Sequence, residues 1–289
     1  MFSDKVKLYI KSTILIAKFS INLTIQRLKA ALHRWRYTPL PDAKNVVVVE
    51  GSFAGVQLAQ RLTQTLPTGY KVVLVEKNSH LNYSFAFPRF SVLEGHEHTA
   101  FVPYSGIAKD APDGIFTHVH DSVTDITGDN VLLATGEKLP YHFLVIATGS
   151  SSPFPSKVVS TDRKGACAEF QSVQQCIKAS GKIAVVGAGA VGVELATDIK
   201  YYYPEKSVTL IHSRDQLLNG FGRRLHEYVL PICEELQIRT LLNERPNLST
   251  EDADKAKNLL FSDGHDETFD LVVRSSTLRA CEIGLLMRS

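Results

Sequence analysis

The chain has 289 residues, 44% of them hydrophobic and 21% charged, so it is long enough for two domains with sizeable cores and has an ordinary globular composition. Its net charge of +2 is unevenly distributed, since residues 1–41 carry a net +7 and the remainder a net −5. The acidic body gives no support for nucleic-acid binding, and four cysteines without a CxxC or CxxxxC pair indicate neither a disulfide scaffold nor a zinc site.

The N-terminal segment combines apolar residues with lysines and arginines and contains no acidic residue after Asp4. At about 100° per residue, most of its basic side chains fall within one narrow sector of a helix, and the rest of the surface is mostly apolar. Lys11 and Lys18 interrupt the apolar run that a membrane-spanning helix needs. We therefore predict that residues 1–43 form a basic amphipathic helix in a membrane interface, on the cytoplasmic face or in the mitochondrion, or a mitochondrial presequence. An ordinary helix docked on the body is the alternative.

A damaged dinucleotide-binding fingerprint follows this segment. Asn45–Gln60 reads as a buried strand, a small-residue turn and the start of an amphipathic helix, which is the unit that holds a pyrophosphate at a helix N-terminus. The pattern G-x-G-x-x-G falls on Glu50, Gly51, Ser52, Phe53, Ala54 and Gly55. Its first position needs a residue that permits a tight turn, and a carboxylate there risks facing the pyrophosphate. We expect Glu50 to weaken dinucleotide binding.

The second strand of this unit, Gly69–Val75, is followed by Glu76, which lies 21 residues after Gly55. An acid at that strand end can accept both ribose hydroxyls of an adenosine, so Glu76 is a candidate cofactor contact together with the adjacent Lys77. The alternative for Glu76 is a solvated charge at the end of a strand.

Two stretches between the fingerprints also carry candidates. Arg89 lies in the aromatic run 81–90, where a buried guanidinium would need an anionic partner such as a bound phosphate. Residues 125–139 read as strands joined by two turns. Tyr141–Gly149 reads as a buried strand ending in small residues, where Thr148 and Gly149 let the chain pass close to a ligand.

The second fingerprint is intact. A strand at Ile183–Val186 leads into Gly187, Gly189 and Gly192 at the required spacing, with Val191 and Glu194 in the helix that follows. The next strand, Val208–His212, ends in His212, Ser213 and Arg214 rather than in the acid typical of NADH-selective sites. Arg214 could hold a 2′-phosphate or be an ordinary surface arginine, so NADPH and NADH both stay open. Two dinucleotides in one chain suggest electron transfer between them.

Together these segments resemble the apoptosis-inducing-factor-like branch, which includes ferroptosis suppressor protein, of the pyridine nucleotide-disulfide oxidoreductase superfamily of FAD- and NAD(P)-dependent oxidoreductases. The resemblance covers Lys44 to about Arg274. It rests on the stretches GSFAG, FPRFSVLE, LPYHFLVIATGS, GAGAVGVELATDIK and YPEKSVTLIHSRD.

The resemblance implies that Gly51–Gly55 hold the FAD pyrophosphate, that Arg89 contacts FAD, that the backbone of Val123 meets the adenine, and that Gly187–Gly192 hold NAD(P)H. Members of this branch look like membrane-associated NAD(P)H:quinone oxidoreductases without a redox dithiol. No side chain in this sequence demands an acid–base role, so the catalytic residues are unknown.

The expected fold is α/β, with two Rossmann-like dinucleotide-binding domains of parallel sheet and helices, preceded by the N-terminal amphipathic helix. We predict an FAD-binding domain at 44–155, an NAD(P)H-binding domain at 156–275 and an atypical tail at 276–289. The family continues beyond this point into a return segment that completes the flavin cradle, so the resemblance implies an incomplete FAD domain and a C-terminally truncated member.

Two functions follow as hypotheses. The first is an FAD-dependent oxidoreductase that passes hydride from NAD(P)H to flavin and on to a quinone-type acceptor. The alternative is a non-catalytic member that binds NAD(P)H and a membrane or partner without stable FAD, which Glu50 and the altered C-terminal end both favour.

Overall fold

The computed structural model describes residues 2–151, 157–246, 257–275 and 279–280. The described helices are α1 (Phe2–Arg36), α2 (Phe53–Thr63), α3 (Phe87–Phe90), α4 (Arg163–Ala179), α5 (Ala190–Tyr202) and α6 (Arg223–Glu235). The described strands are β1 (Lys44–Val49), β2 (Tyr70–Val75), β3 (His80–Asn82), β4 (Phe101–Pro103), β5 (Phe116–Val119), β6 (Val123–Ile126), β7 (Asn130–Leu133), β8 (Lys138–Pro140), β9 (Phe143–Ile146), β10 (Ser150–Ser151), β11 (Lys182–Val186), β12 (Ser207–Ile211), β13 (Ile238–Leu241), β14 (Lys257–Leu260), β15 (Asp266–Phe269), β16 (Leu271–Arg274) and β17 (Arg279–Ala280). Short 3-10 turns lie at Ser84–Ala86, Glu97–Ala100 and Tyr104–Gly106.

The described chain divides into two compact units, the first formed by residues 2–77 and 104–148 and the second by residues 78–103 and the described residues from 149 onward. This division differs from the predicted boundaries in two segments, 78–103 and 149–151, which the sequence assigned to the first domain. After β2 the chain leaves the first sheet, forms β3, α3 and β4 in that order, and returns to the first sheet at β5. Strands β3 and β4 pair with each other, and α3 packs on α5. Of the predicted tail 276–289, only residues 279–280 are described, and Cys281 lies outside the described residues.

The first unit is built on a parallel four-stranded sheet in the order β5-β2-β1-β9. Its central strands, β1 and β2, are runs of mostly β-branched residues. Such runs are typical of parallel strands that are covered on both faces of the sheet. Val47, Val49, Val73 and Val75 are at most 3% exposed and pack against the antiparallel β6–β7–β8 sheet. The strands predicted at 125–139 are therefore present, with turns at the expected positions.

Strand β9 departs from its prediction. A strand is present at Phe143–Ile146, but the prediction that it is buried is wrong, since the exposed fractions of Phe143 and Ile146 are 56% and 43%. In the described sheet β9 pairs only with β1 and is therefore an edge strand. An apolar sequence reports that a strand has good β-propensity, whereas burial depends on which elements lie beside it.

The second unit repeats the arrangement with a parallel sheet in the order β13-β12-β11-β16. One face packs on the helices through Ile183, Leu195, Ile199 and Leu210, all fully buried. The two sheets thus share one topology, in which the first strand of each nucleotide unit lies third in the order. The α/β fold with Rossmann-like units is confirmed.

Two buried lysines explain part of the YPEKSV stretch in the second unit. Lys206 Nζ donates to the carbonyls of Lys178 (2.8 Å) and Ser180 (2.7 Å), at the C-terminal end of α4. Lys200 Nζ donates to Pro204 O at 2.6 Å. A cation beside the last carbonyls of a helix satisfies acceptors that have no partner within the helix and interacts favourably with its dipole. Lys206 therefore satisfies carbonyls at the end of α4, and Lys200 ties α5 to the segment that follows it.

Helix α1 is present as predicted, and its side chains are mostly exposed. It contacts the first unit near its C-terminal end, where His33 Nε2 lies 2.6 Å from Leu66 O and Tyr37 Oη donates to Tyr70 O at 2.9 Å. By length and composition alone the helix is also apolar enough to cross a membrane. An 18-residue stretch of it has a mean hydropathy of 1.3, and none of that stretch is buried. Membrane contact stays a prediction at this point.

Candidate dinucleotide-binding sites

The two fingerprint turns occupy equivalent places in the two sheets. Each begins at the carboxyl end of the first strand, β1 or β11, and leads into the helix that connects to the next strand, α2 or α5. Each first strand lies between its sequential partner and a strand from later in the chain, β9 or β16. In parallel α/β sheets this switch in strand order opens a crevice at the carboxyl ends, where ligands bind.

The second turn needs its glycines for steric reasons. Gly187 has φ +112°, a backbone conformation that residues with a side chain rarely adopt. A Cβ at Gly192 would lie 1.8 Å from Gly187 O, so the start of α5 can pack against the turn only without a side chain. Ser275 Oγ donates to Gly187 O at 2.7 Å and closes the turn from the end of β16. A backbone cradle of this kind, with free N–H groups at a helix start, fits a pyrophosphate.

His212 holds this turn from the end of β12. Its Nδ1 lies 3.2 Å from the backbone N of Ala188, and its Nε2 lies 3.1 Å from Asn219 Oδ1. These partners assign the tautomer, because Nδ1 must accept from the amide and Nε2 must then donate to the carbonyl oxygen. The predicted contact residue His212 therefore braces the turn.

A pocket of about 470 Å³ lies beside the second turn. It brings together four predicted residues, Gly187, Gly189, His212 and Arg214. Sequence reasoning missed other lining residues because no motif marks them: Asn219, Glu244, Arg245 and Ser275.

The first turn keeps the same shape in spite of its substituted first position. Glu50 has φ +71°, in the left-handed region where the equivalent Gly187 has its own positive φ. Glu50 N donates to Val75 O at 2.8 Å, and a Cβ at Gly55 would lie 1.9 Å from Glu50 O. A glutamate thus occupies a backbone conformation that costs about 1–3 kcal/mol for a residue with a side chain.

Glu76 lies under this turn. Glu76 is only 3% exposed, and its Oε2 accepts a hydrogen bond from the backbone N of Gly51 at 2.5 Å. The alternative of a solvated strand-end charge is therefore wrong. One carboxylate oxygen is engaged with the turn, and contact of Glu76 with a ribose stays a prediction.

Tyr104 completes the first turn and was not predicted, because it is 53 residues from Gly51 in the chain. Its Oη donates to Gly51 O at 2.7 Å, and its ring lies 2.8 Å from where a Cβ of Gly51 would be. Burial, followed by the nearby carboxylates of Glu76 and Glu50, raises the pKa of the Tyr104 phenol, which stays protonated and donating.

The two turns are braced by equivalent hydrogen bonds. The residue after the second strand accepts from the turn amide in each unit: Glu76 from Gly51, and His212 from Ala188. The carbonyl of the same turn residue accepts from a distant group, the Tyr104 phenol in one unit and the Leu218 amide (2.8 Å) in the other. The sequence repeat is therefore also a repeat of site geometry.

Replacing Tyr104 by Phe tests the first brace. We expect Tyr104→Phe to lower the free energy of unfolding by about 1–2 kcal/mol, because the buried Gly51 carbonyl loses its donor while packing is kept. Urea unfolding of the full chain measures this. Tyr201→Phe is the control, since Tyr201 is 74% exposed. Equal stability of the two variants would contradict a bracing role for the phenol.

The premise behind Arg89 is wrong. Its side chain is 50% exposed rather than buried, and its anionic partner is Asp198, with Nε 2.9 Å from Oδ2. Because α3 and α5 pack together within the second unit, the sequence run around Arg89 is apolar although the guanidinium reaches the surface. Contact of Arg89 with FAD stays a prediction.

Two acidic residues on α5, Asp198 and Glu194, interact electrostatically with this arginine. Burial raises the pKa of Asp198, with Arg89 opposing the shift. Burial, followed by the charge of Asp198, also raises the pKa of Glu194, one helical turn away. Glu194 therefore lies in a partly buried acidic pair that begins two residues after Gly192.

The other predicted residues lie at several places in the two units. Phe53 is 38% exposed at the start of α2, and Val191 is half-buried at the start of α5. Lys77 is exposed and its carbonyl accepts from His120 Nε2 at 2.9 Å. Ser52 Oγ donates to Ala147 O at 3.1 Å, next to Thr148 and Gly149, and Gly149 has φ +65°. Ala54 lies in α2, and Val123 begins β6. Their cofactor contacts stay predictions.

Comparisons with known proteins agree with this geometry. The profile of the pyridine nucleotide-disulphide oxidoreductase family matches residues 44–277. Fe-regulated protein 8 of Mycosarcoma maydis is 35% identical over 251 residues, covering 80% of this chain and 63% of that protein. Ferroptosis suppressor protein 1 of Homo sapiens is 34% identical over 210 residues, covering 70% of this chain and 53% of that protein. The chain thus spans between about half and two thirds of the length of these two relatives.

Among solved structures, a ferredoxin reductase from Rhodopseudomonas palustris has a TM-score of 0.64 at 19% identity, covering 81% of this chain and 59% of that chain. At this identity the likeness shows the fold.

Proposed function

Since the chain belongs to the pyridine nucleotide-disulphide oxidoreductase family, we propose that it is an FAD-dependent oxidoreductase that passes hydride from NAD(P)H to flavin and on to a quinone-type acceptor. The observation that carries the proposal is the repeat of one phosphate-binding turn geometry at the carboxyl ends of two parallel sheets. A dehydrogenase with a single nucleotide site would leave the first turn and its brace unexplained.

The residues present fit both cofactors. In each unit the third glycine of the turn has no room for a Cβ, so the start of the helix packs directly on the turn, where its N–H groups can hold a pyrophosphate. We assign Gly51–Gly55 to FAD and Gly187–Gly192 to NAD(P)H. When bound, FAD supplies the hydride acceptor and the electron donor to the substrate. The chain's own residues bind and orient the two cofactors.

A membrane-phase acceptor agrees with two features of the chain. Helix α1 exposes large apolar side chains together with basic residues, which favours an interface where lipophilic quinones are dissolved. Burial raises the pKa values of the Cys167 and Cys233 thiols, so these cysteines are poor thiolates for a dithiol relay. Direct reduction of an acceptor by the flavin needs no such relay.

The nicotinamide cofactor is proposed to be NADPH. Arg214 and Arg245 line the pocket of the second turn together with Ser213. The acid of this pocket, Glu244, accepts from both the backbone N (3.1 Å) and Oγ (2.5 Å) of Ser262. Two guanidinium groups and an engaged carboxylate favour a ligand with an additional phosphate.

Replacing these arginines tests the cofactor preference. We expect Arg214→Gln and Arg245→Gln each to raise the Kd for NADPH by about tenfold, since one charge-assisted contact to phosphate is lost, and to leave NADH binding nearly unchanged. Titration of the full chain followed by cofactor fluorescence measures both. Arg223→Gln is the control for net charge, because Arg223 is exposed and its Nε lies 3.6 Å from Glu227 Oε1. An equal loss for NADH and NADPH would contradict a 2′-phosphate site.

The acceptor is tested with the full chain, loaded with FAD and bound to lipid vesicles. Oxidation of NADPH that depends on a lipophilic quinone in the vesicles supports the proposal. NADPH oxidation at the same rate without quinone would contradict a quinone-type acceptor.

The non-catalytic alternative is kept because of Glu50, whose carboxylate and strained backbone lie in the turn assigned to FAD. It predicts NAD(P)H binding by a chain that does not retain flavin.

A further inference from the structure

The first unit contains a groove of about 880 Å³ between the second half of α1 and α2. Three arginines line it, Arg27 and Arg34 from α1 and Arg61 from α2. Five amide side chains, four apolar residues and one acid, Asp110, form the rest of the lining. The groove therefore combines cationic, amide and apolar side chains.

The charges in the groove favour an anion. The three arginines and Asp110 give the lining a net charge of +2. In the part of the chain that the structure describes, none of the three guanidinium groups makes an ion pair or a hydrogen bond. Guanidinium groups match phosphate through paired N–H donors, and amide N–H groups add further donors.

The exposed apolar side chains of α1 place this groove next to a membrane surface. In the first half of the helix, Leu8, Tyr9, Ile10, Leu15 and Ile16 are 64%, 73%, 55%, 69% and 63% exposed. At about 100° per residue, these side chains point to most sides of the helix. With this half of α1 in the acyl boundary, the second half, which lines the groove, lies at the level of the lipid head groups.

We propose that this groove binds the phosphate of an anionic phospholipid head group, with Arg27 and Arg34 holding it from α1 and Arg61 from α2. The inference rests on the proposed membrane association of α1 and extends it from a general surface attraction to a built site. The apolar side chains of the groove lie against the part of the lipid next to the head group, and α2, which carries Arg61, is also the helix of the first turn.

The test separates fork-like recognition from general charge. The full chain is floated with phosphatidylcholine vesicles with and without phosphatidylglycerol. Arg61→Lys keeps the charge and loses the paired donors, so we expect it to lower partition onto the phosphatidylglycerol vesicles about tenfold. Arg36→Lys makes the same change outside the groove and is expected to have no effect. Lys29→Gln removes a charge outside the groove and is expected to lower partition about fivefold.

Each other outcome overturns the inference. Wild-type partition of Arg61→Lys, with membrane binding intact, would mean that only general electrostatic attraction acts, and the proposed function would be unaffected. Displacement by inorganic phosphate as effectively as by a short-chain phosphatidylglycerol would mean that the groove takes a small anion. No flotation with either vesicle would overturn the membrane association itself. Matching thermal unfolding of Arg61→Lys and wild type shows that the variant is folded.

Discussion

Glu50→Gly is expected to strengthen FAD binding by up to about three orders of magnitude. Two unit charges about 4 Å apart repel by about 4 kcal/mol at an effective dielectric of 20, and every 1.4 kcal/mol is a tenfold change in affinity. Glycine also adopts the positive φ of this position without strain, which adds about 1 kcal/mol to the stability of the turn. Equilibrium titration of the full chain with FAD, followed by flavin fluorescence, measures the change.

Two variants separate the causes. Glu50→Gln removes the charge and keeps a side chain at positive φ, so it recovers most of the affinity and relieves none of the strain. Glu137→Gln makes the same charge change at an exposed position of the same unit and is expected to leave FAD binding unchanged. Equal FAD affinity of wild type, Glu50→Gly and Glu50→Gln would show that the carboxylate does not face the pyrophosphate.

Gly192→Ala is expected to abolish measurable NAD(P)H binding, a loss of at least about a hundredfold. The new Cβ would lie 1.8 Å from Gly187 O and 2.4 Å from Ser275 Oγ, so the turn must open. Forcing an extra methyl group into such a site costs about 1–3 kcal/mol, which is expected as a loss of stability. Calorimetric titration with NADPH and urea unfolding measure the two effects on the same protein.

Gly189 and Gly222 provide matched comparisons. A Cβ at either position has no heavy atom within 4 Å. Gly189→Ala is expected to keep wild-type stability but to weaken NADPH binding, because this position lets the backbone approach the pyrophosphate. Gly222→Ala, at the start of α6, is expected to change neither. Full NADPH binding by Gly192→Ala would show that the cofactor does not use this turn.

The strand–turn–helix units were predictable because their signals are local. Runs of β-branched residues, spaced small residues in the turn and an amphipathic helix start lie within about a dozen neighbouring residues, and steric limits at Gly55 and Gly192 are set by the turn itself. The positive φ of Glu50 likewise follows from the turn geometry. Sequence therefore carried both turns and the order of elements in each unit.

The braces and partners were not predictable because they come from distant parts of the chain. Tyr104 reaches Gly51 across 53 residues, and Arg89 reaches Asp198 across 109. Ser275 reaches Gly187 across 88 residues. Such contacts depend on which elements pack together, and residue type alone gives no sign of them. The exposure of β9 has the same origin, since its neighbours in the sheet decide its burial.

Flavin occupancy and its reduction decide whether one chain holds two dinucleotides and transfers hydride between them. The most direct measurement is the visible flavin spectrum of the full chain in detergent micelles with excess FAD, recorded before and after anaerobic addition of NADPH. We expect bound flavin approaching one per chain at saturation, bleached by NADPH. No bound flavin in wild type or in Glu50→Gly, alongside measurable NADPH binding, would refute the proposed hydride transfer and would leave the chain as a nucleotide-binding protein without redox activity.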